Sequence, residues 1–347
     1  YIRQVEPYVP GEQPAGKNLI KLNTNENPYP PAPGVLAAMK KLEGHVDSLR
    51  LYPDPTSDAL VSALADFYHV GKDQVFVGVG SDDVLSMCFL TFFNSEKPVF
   101  FPDITYSFYK VWADLYRIPY ECKKVDENFH IIKEDYYPEN GGVIFPNPNA
   151  PTSIYEDLEF VEDIIRHNQD VIVIVDEAYI DFAGESALSL LDKYDNLIIT
   201  QTFSKARSMA GMRIGYAIAS PLLIKYLNDA KYSFNSYTMN KTSLVYGAEA
   251  VKDKEYFAET TRKIVETRDW AEEEFKKLGF VFPKPSANFI FVSHPEYDAK
   301  ELFKAMKAKG IYVRFWGNER IEQYLRVTIG TREEMEALFA FLREYMM

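Results

Sequence analysis

The sequence is poor in the residues that build metal centres and disulfide frameworks. Only Cys88 and Cys122 are cysteines among 347 residues. Neither has the paired spacing of a zinc site, and two cysteines make no cross-linked scaffold. The five histidines are scattered, with no two at ligand spacing. This scarcity points away from metal chemistry and towards a reducing, cytoplasmic setting. No apolar run reaches the roughly 18 uncharged residues that a membrane-spanning helix needs, and no secretory leader pattern is visible. Positive charge is in deficit too: 38 Lys and Arg stand against 51 Asp and Glu, for a net charge of -13. Such a surface repels nucleic acid. An anionic ligand therefore has to be held by local positive groups, not by the overall field. Internal repeats and low-complexity segments are likewise lacking.

What is present is ordinary for a globular α/β protein. Hydrophobic residues make up 47% and charged residues 26%. The 24 Tyr and 24 Phe suit large cores and interfaces. The length exceeds what one small core organises, so one large α/β domain with a smaller companion is expected. Residues 1–34, rich in Pro and Gly, read as an N-terminal arm. Residues 35–255 read as the large domain, and 256–347 as a small α+β domain.

Helical spacing is expected over Val35–Leu42 and over 57–69, where Leu60, Leu64 and Phe67 share a face. Val75–Val79 reads as a strand that runs through Gly78 and Gly80 into an apolar helix ending near Phe93. Ser81 or Asp82 is expected to cap that helix, whose first-turn N–H groups and dipole would form an anion site. Gly78-x-Gly80 is not a dinucleotide fingerprint, because Asp83 holds the third glycine position. Pro98–Pro102 and Gly142–Phe145 read as strands. Val171–Val175 is a β-branched run, expected in a parallel sheet buried on both faces, and it ends in Asp176. Leu197–Ile199 is another strand, and Lys205 follows it on a turn. Beyond Phe257–Leu278, a long charged helix, strands are expected at 288–292, 311–315 and 324–330. Thr331 is expected to cap a last helix from Arg332 to Tyr345.

Each candidate residue taken singly is an ordinary strand end. Together they form an ordered series: Gly80-Ser81, Tyr106, Asn149, Asp176-x-x-Tyr179, Thr202-x-Ser204-Lys205 and Arg213. That series resembles fold-type I pyridoxal-phosphate enzymes. Pro7-Tyr-Val-Pro-Gly11, Leu22-Asn-Thr-Asn-Glu-Asn-Pro28, Tyr52-Pro-Asp54, Thr202-Phe-Ser-Lys-Ala206 and Leu325-Arg-Val-Thr-Ile-Gly-Thr331 extend the likeness over nearly the whole chain. They resemble the histidinol-phosphate aminotransferases. The resemblance implies a large domain with a mostly parallel sheet, a smaller α+β domain, and pyridoxal 5'-phosphate as cofactor. Lys205 would form the Schiff base. Asp176 would pair with the pyridine nitrogen, Tyr179 with the ring oxygen, and Tyr106 would stack on the ring. The amides of Ser81 and Asp82, with Thr202, Ser204 and Arg213, would hold the phosphate, joined by Tyr52 of a neighbouring subunit in a homodimer. Tyr8, Asn25, Arg314 and Arg326 would meet the substrate.

The implied reaction is transamination between L-histidinol phosphate and 2-oxoglutarate, giving imidazole acetol phosphate and glutamate in histidine biosynthesis. Aromatic aminotransferases and threonine-phosphate decarboxylases share the lysine segment and stay open, as does a non-catalytic binding protein on the same fold. One departure stands out: in the family pattern Asn-Pro-x-Asn-Pro-Thr-Gly, this chain has Ala150 and Ser153. The family's ring-oxygen asparagine is thus absent, and Asn149 is the candidate to replace it.

Overall fold

A computed structural model describes residues 2–16 and 19–347. The N-terminal stretch has little regular structure apart from Ile20–Lys21 (β1). Helices Pro33–Glu43 (α1) and Asp58–Tyr68 (α2) lead to Val75–Gly78 (β2). Strand and helix then mostly alternate through Ser81–Phe92 (α3), Val99–Pro102 (β3), Phe108–Tyr116 (α4), Tyr120–Lys123 (β4), Gly142–Pro146 (β5), Leu158–Arg166 (α5), Val173–Asp176 (β6), Leu197–Thr202 (β7) and Gly215–Ala219 (β8). Helices Pro221–Phe234 (α6), Lys241–Lys252 (α7) and Lys254–Lys277 (α8) follow. The chain ends with Phe289–Ser293 (β9), Ala299–Ala308 (α9), Ile311–Tyr312 (β10), Arg314–Phe315 (β11), Tyr324–Thr328 (β12) and Arg332–Tyr345 (α10).

Seven strands form the main sheet in the order β2-β8-β7-β6-β5-β3-β4. It is mostly parallel, as expected. The exception is β8, which runs antiparallel to both β7 and β2. Every residue of β5, β6 and β7 is buried, which suits the apolar runs Val143–Phe145, Val173–Val175 and Leu197–Ile199 in strands covered on both faces. Register aligns the carboxyl ends: Pro146 lies opposite Asp176, and Asp176 opposite Thr200. That edge of an α/β sheet is where ligands bind.

A second, antiparallel sheet has the order β11-β12-β9. Its core joins Phe289, Ile290, Val292, Leu325 and Val327 to Leu302 and Met306 of α9 and Leu338 and Phe339 of α10. Thr331 caps α10 in a reciprocal box with Glu334. The N-terminal segment is tied to this part of the chain, because β1 pairs in parallel with β10.

Three expectations are corrected. The run 311–315 is not one strand: Ile311–Tyr312 pairs with β1, whereas Arg314–Phe315 pairs with β12. Neither Ser81 nor Asp82 caps α3; the cap position is Gly80, at φ 85°. That left-handed backbone suits glycine, and it puts Ser81 and Asp82 inside the first turn. Strand β4 went unforeseen because Tyr-Glu-Cys-Lys is a partly exposed edge strand without apolar alternation.

Candidate active site

A cavity of about 960 Å³ opens at the carboxyl edge of the main sheet. Its walls include Ser81, Asp82, Tyr106, Asp176, Tyr179, Thr202, Ser204, Lys205 and Arg213. From the N-terminal stretch come Tyr8 and Asn25, and from the second sheet Arg314 and Arg326. Residues more than 300 positions apart thus converge on one space.

One end of the cavity is built for an anion. The first turn of α3 begins at Ser81, and the opening N–H groups of a helix have no partners within it. Arg213, itself at φ 52°, packs over Gly80, where a Cβ would sit 2.5 Å from Nη2. Gly215 makes the closest approach: a Cβ there would fall on the carbonyl carbon of Gly80 and the nitrogen of Ser81. The start of α3 is thereby pressed onto β8. The Thr202 hydroxyl donates to Ser204 Oγ at 3.0 Å, so both hydroxyls stand at the end of β7. The Asp82 carboxylate also reaches in, accepting from Arg213 Nη2 at 3.2 Å and from the Tyr106 hydroxyl at 2.6 Å.

At the floor stands Asp176, 3% exposed. Tyr109 donates to Oδ2 at 2.7 Å and Thr200 to Oδ1 at 3.2 Å. Burial raises the carboxyl to about 6, against the lowering effect of these two bonds. A cationic partner would bring it back down, which is the chemistry a protonated pyridine nitrogen offers. Burial also pushes Tyr109 well above its ordinary range, with the Asp176 charge adding to it. Sequence reasoning missed Tyr109 and Thr200. The signals were faint: Thr200 lies in the strand next to Asp176, and Tyr109 falls three residues after Tyr106.

Lys205 sits across from this floor. Its Nζ donates to the Thr24 carbonyl at 3.1 Å. Burial is the main cause that lowers its ammonium to about 8, and the Arg326 charge adds to it. An amine so tuned is neutral often enough near neutral pH to act as a nucleophile or base. Tyr179, at the same wall, accepts a hydrogen bond from Asn25 Nδ2 at 2.9 Å.

The remaining cations differ in how free they are. Arg320, which also went unforeseen, lines the cavity but is spent on Asp103 Oδ2 and on the carbonyls of Val125 and Asp126. Arg314 donates to the carbonyls of Val9 at 3.3 Å and Pro10 at 3.5 Å, so it staples the N-terminal arm. Tyr8 on that arm stacks on Phe108, with ring centroids 4.2 Å apart. Arg326 donates to the Asn23 carbonyl at 2.9 Å, and its Nε is buried without a partner among the described residues. Its guanidinium stands 5.2 Å from the centroids of both Phe289 and Trp316. Asn25, 1% exposed, bonds to Thr328, Tyr179 and Asn288.

Two sequence candidates lie apart from the cavity. Asn149 is buried and turned inwards. Its Nδ2 donates to the Ile104 carbonyl and Thr152 Oγ1, both at 3.0 Å, and its Oδ1 accepts from Thr105. Ala150 lines the wall instead. Tyr52 is 81% exposed and stacks on Tyr237 with centroids 4.6 Å apart. Among the described residues no cluster of His, Cys, Asp or Glu could hold a metal, and no helix is long and apolar enough to cross a membrane.

The donor set fits pyridoxal phosphate on this geometry: an amine, a buried carboxylate at the floor, and a helix N-terminus with an arginine at the far end. The family profile described as aminotransferase class I and II matches residues 17–342. The chain is 50% identical over 334 residues to the histidinol-phosphate aminotransferase of Clostridium botulinum strain Okra, covering 96% of this chain and 94% of that one. It is 48% identical over 345 residues to the enzyme of the same name from Lactococcus lactis, covering 99% and 96%. The structure of histidinol-phosphate aminotransferase from Sinorhizobium meliloti in complex with pyridoxal-5'-phosphate superposes with a TM-score of 0.83 at 25% identity, covering 94% and 90%. That of Clostridium acetobutylicum gives 0.86 at 22%, covering 94% and 98%. The chain belongs to the class I and II aminotransferases, an enzyme family that works with pyridoxal phosphate.

Proposed function

We propose that this enzyme transaminates L-histidinol phosphate with 2-oxoglutarate, giving imidazole acetol phosphate and glutamate in histidine biosynthesis. Relatives about half identical over almost their whole length carry that name. The observation that carries the substrate reading is Arg326: a half-buried guanidinium at the cavity wall, with a buried, unpartnered Nε and no carboxylate paired to it among the described residues. In a chain of net charge -13, a cation with no carboxylate partner is a local anion receptor. A phosphate from the amino alcohol and a carboxylate from the keto acid can take turns on it.

The cofactor, when bound, supplies an electron sink for the bond broken at the substrate's Cα. The chain's own residues do the rest. Arg213, Thr202, Ser204 and the amides of Ser81 and Asp82 hold the phosphate. Asp176, kept in place by Tyr109 and Thr200, would hold a proton on the pyridine nitrogen. Tyr179 would donate to the ring oxygen, and Tyr106 would flank the ring. Lys205 would hold the cofactor at rest, and its amine, freed by the substrate, would serve as the base that moves the substrate's Cα proton. Tyr8 and the arm stapled by Arg314 close the mouth.

The active unit is a homodimer in this reading. Tyr52 lies outside its own chain's cavity, highly exposed beside exposed Leu49, Leu51 and Tyr237. A second copy covers that patch and receives Tyr52 at its phosphate. The test is to supply L-histidinol phosphate, phenylalanine and threonine phosphate to separate samples with 2-oxoglutarate. Glutamate formation should be fastest with the first. Release of CO2 from threonine phosphate would instead identify a decarboxylase.

A further inference from the structure

Asn25 sits at φ 58°, a left-handed backbone that asparagine tolerates better than most residues. Both ends of its side chain are fixed. Its backbone N–H donates to Thr328 Oγ1 at 3.0 Å, so the threonine hydroxyl proton is free to go elsewhere. That proton goes to Asn25 Oδ1, also at 3.0 Å. The amide orientation follows: Oδ1 faces Thr328 and Nδ2 faces Tyr179, donating to the phenol oxygen at 2.9 Å. The Asn25 carbonyl is held in turn by Asn288 Nδ2 at 3.0 Å. Because the Tyr179 oxygen accepts from Asn25, its own proton is directed away from Asn25 and into the cavity. Ala150, which also lines that cavity, has only a methyl group to offer, and Asn149 is committed to Ile104, Thr152 and Thr105.

We propose that Asn25 is a positioning residue, which aims and polarises the Tyr179 hydroxyl as the single side-chain donor to the cofactor's ring oxygen. The inference deepens the proposed function and rests on its assignment of Tyr179. A hydrogen bond received at the phenol oxygen makes the O–H a stronger donor. Asn25 indeed acts to lower Tyr179, against the larger raising effect of burial. Arg326 also lowers it, while Asp176 and Asp82 raise it. The Lys205 ammonium stands 5.7 Å from its ring centroid. These charges surround Tyr179 whether or not Asn25 is present. A donor at the ring oxygen stabilises the bound cofactor's deprotonated form, in which that oxygen carries charge. Weakening the donor therefore raises the pH at which the visible band titrates.

The experiment titrates that band in the holoenzyme and in Asn25→Gly, which keeps the left-handed backbone at no steric cost. The midpoint should rise by about one pH unit, the equivalent of one hydrogen bond's worth of about 1.4 kcal/mol. Thr328→Val, which frees the amide to rotate, should move it in the same direction by less. Tyr179→Phe should raise it further, and adding Asn25→Gly to Tyr179→Phe should change nothing more. Ala150→Asn, restoring a second donor, should lower it. A midpoint unmoved in both Asn25→Gly and Thr328→Val overturns the proposal, as does a full extra rise from Asn25→Gly in the Tyr179→Phe background. A protein that forms no visible band with the cofactor, or one that Tyr179→Phe leaves in place, overturns the underlying assignment instead.

Discussion

At the scale of single residues, the chemistry turns on what burial does to two ionisable groups. Lys205 is lowered to about 8 and Asp176 is raised to about 6, both chiefly by desolvation. For Lys205 the neutral amine is the reactive form. Covalent capture of the cofactor by cofactor-free enzyme should therefore accelerate as pH rises through about 8 and level off above it. Stopped-flow absorbance would show this, and a rate flat from pH 6 to 10 would contradict it. For Asp176 the sign runs the other way. Its folded-state value lies above its unfolded one, so burying the carboxylate costs stability as pH rises from the usual carboxylate range through about 6. Cofactor-free Asp176→Asn should gain in Tm relative to the parent more at pH 8 than at pH 4.5, while losing affinity for the cofactor. Calorimetry at the two pH values, paired with cofactor titration, checks both halves.

At the scale of elements, the decisive join is between α3 and β8. Gly215→Ala puts a methyl onto the Gly80–Ser81 peptide. Backbone has to move, at a cost of about 1–3 kcal/mol, and the amides of the anion site move with it. Weaker retention of cofactor phosphate is expected, with a smaller loss in Tm; an unchanged Kd for cofactor would show that the join does not shape the site. Much of this layer was legible in the sequence. The Val-rich run before Asp176 and the Leu-Ile-Ile before the lysine turn announce buried parallel strands, because a strand covered on both faces has no polar alternation to confuse it. The cap of α3 was misread because a side-chain cap and a glycine cap leave similar traces: Gly-Ser-Asp fits either until φ is known. Asn149 was misread because its neighbours along the chain do not reveal that its amide is consumed by Ile104 and Thr152. The engagement of Asn25 with Tyr179 joins residues 154 positions apart, and no local pattern encodes such a pairing.

At the scale of the whole molecule, the N-terminal arm and the second sheet act on the site together. Arg314 and Arg326 lie opposite each other in register. The first ties down residues 9 and 10, and the second holds the carbonyl of Asn23. Releasing the arm by Arg314→Ala should expose it to proteolysis and raise KM more than it lowers kcat. The proposed dimer belongs to this scale too: sedimentation should give twice the 39.9 kDa chain mass, and Tyr52→Ala should weaken cofactor binding without unfolding the subunit. The central claim is that the half-buried Arg326 guanidinium, with no carboxylate paired to it among the described residues, makes this an aminotransferase for a phosphorylated amino alcohol. Its most direct test is the rate at which stoichiometric L-histidinol phosphate bleaches the bound cofactor's visible band, in the parent enzyme and in Arg326→Ala. The account predicts rapid bleaching in the parent, faster than with phenylalanine at equal concentration, and a loss of at least about tenfold in Arg326→Ala, the equivalent of about 1.4 kcal/mol. Equal rates with phenylalanine, or an Arg326→Ala enzyme as fast as the parent, would contradict it.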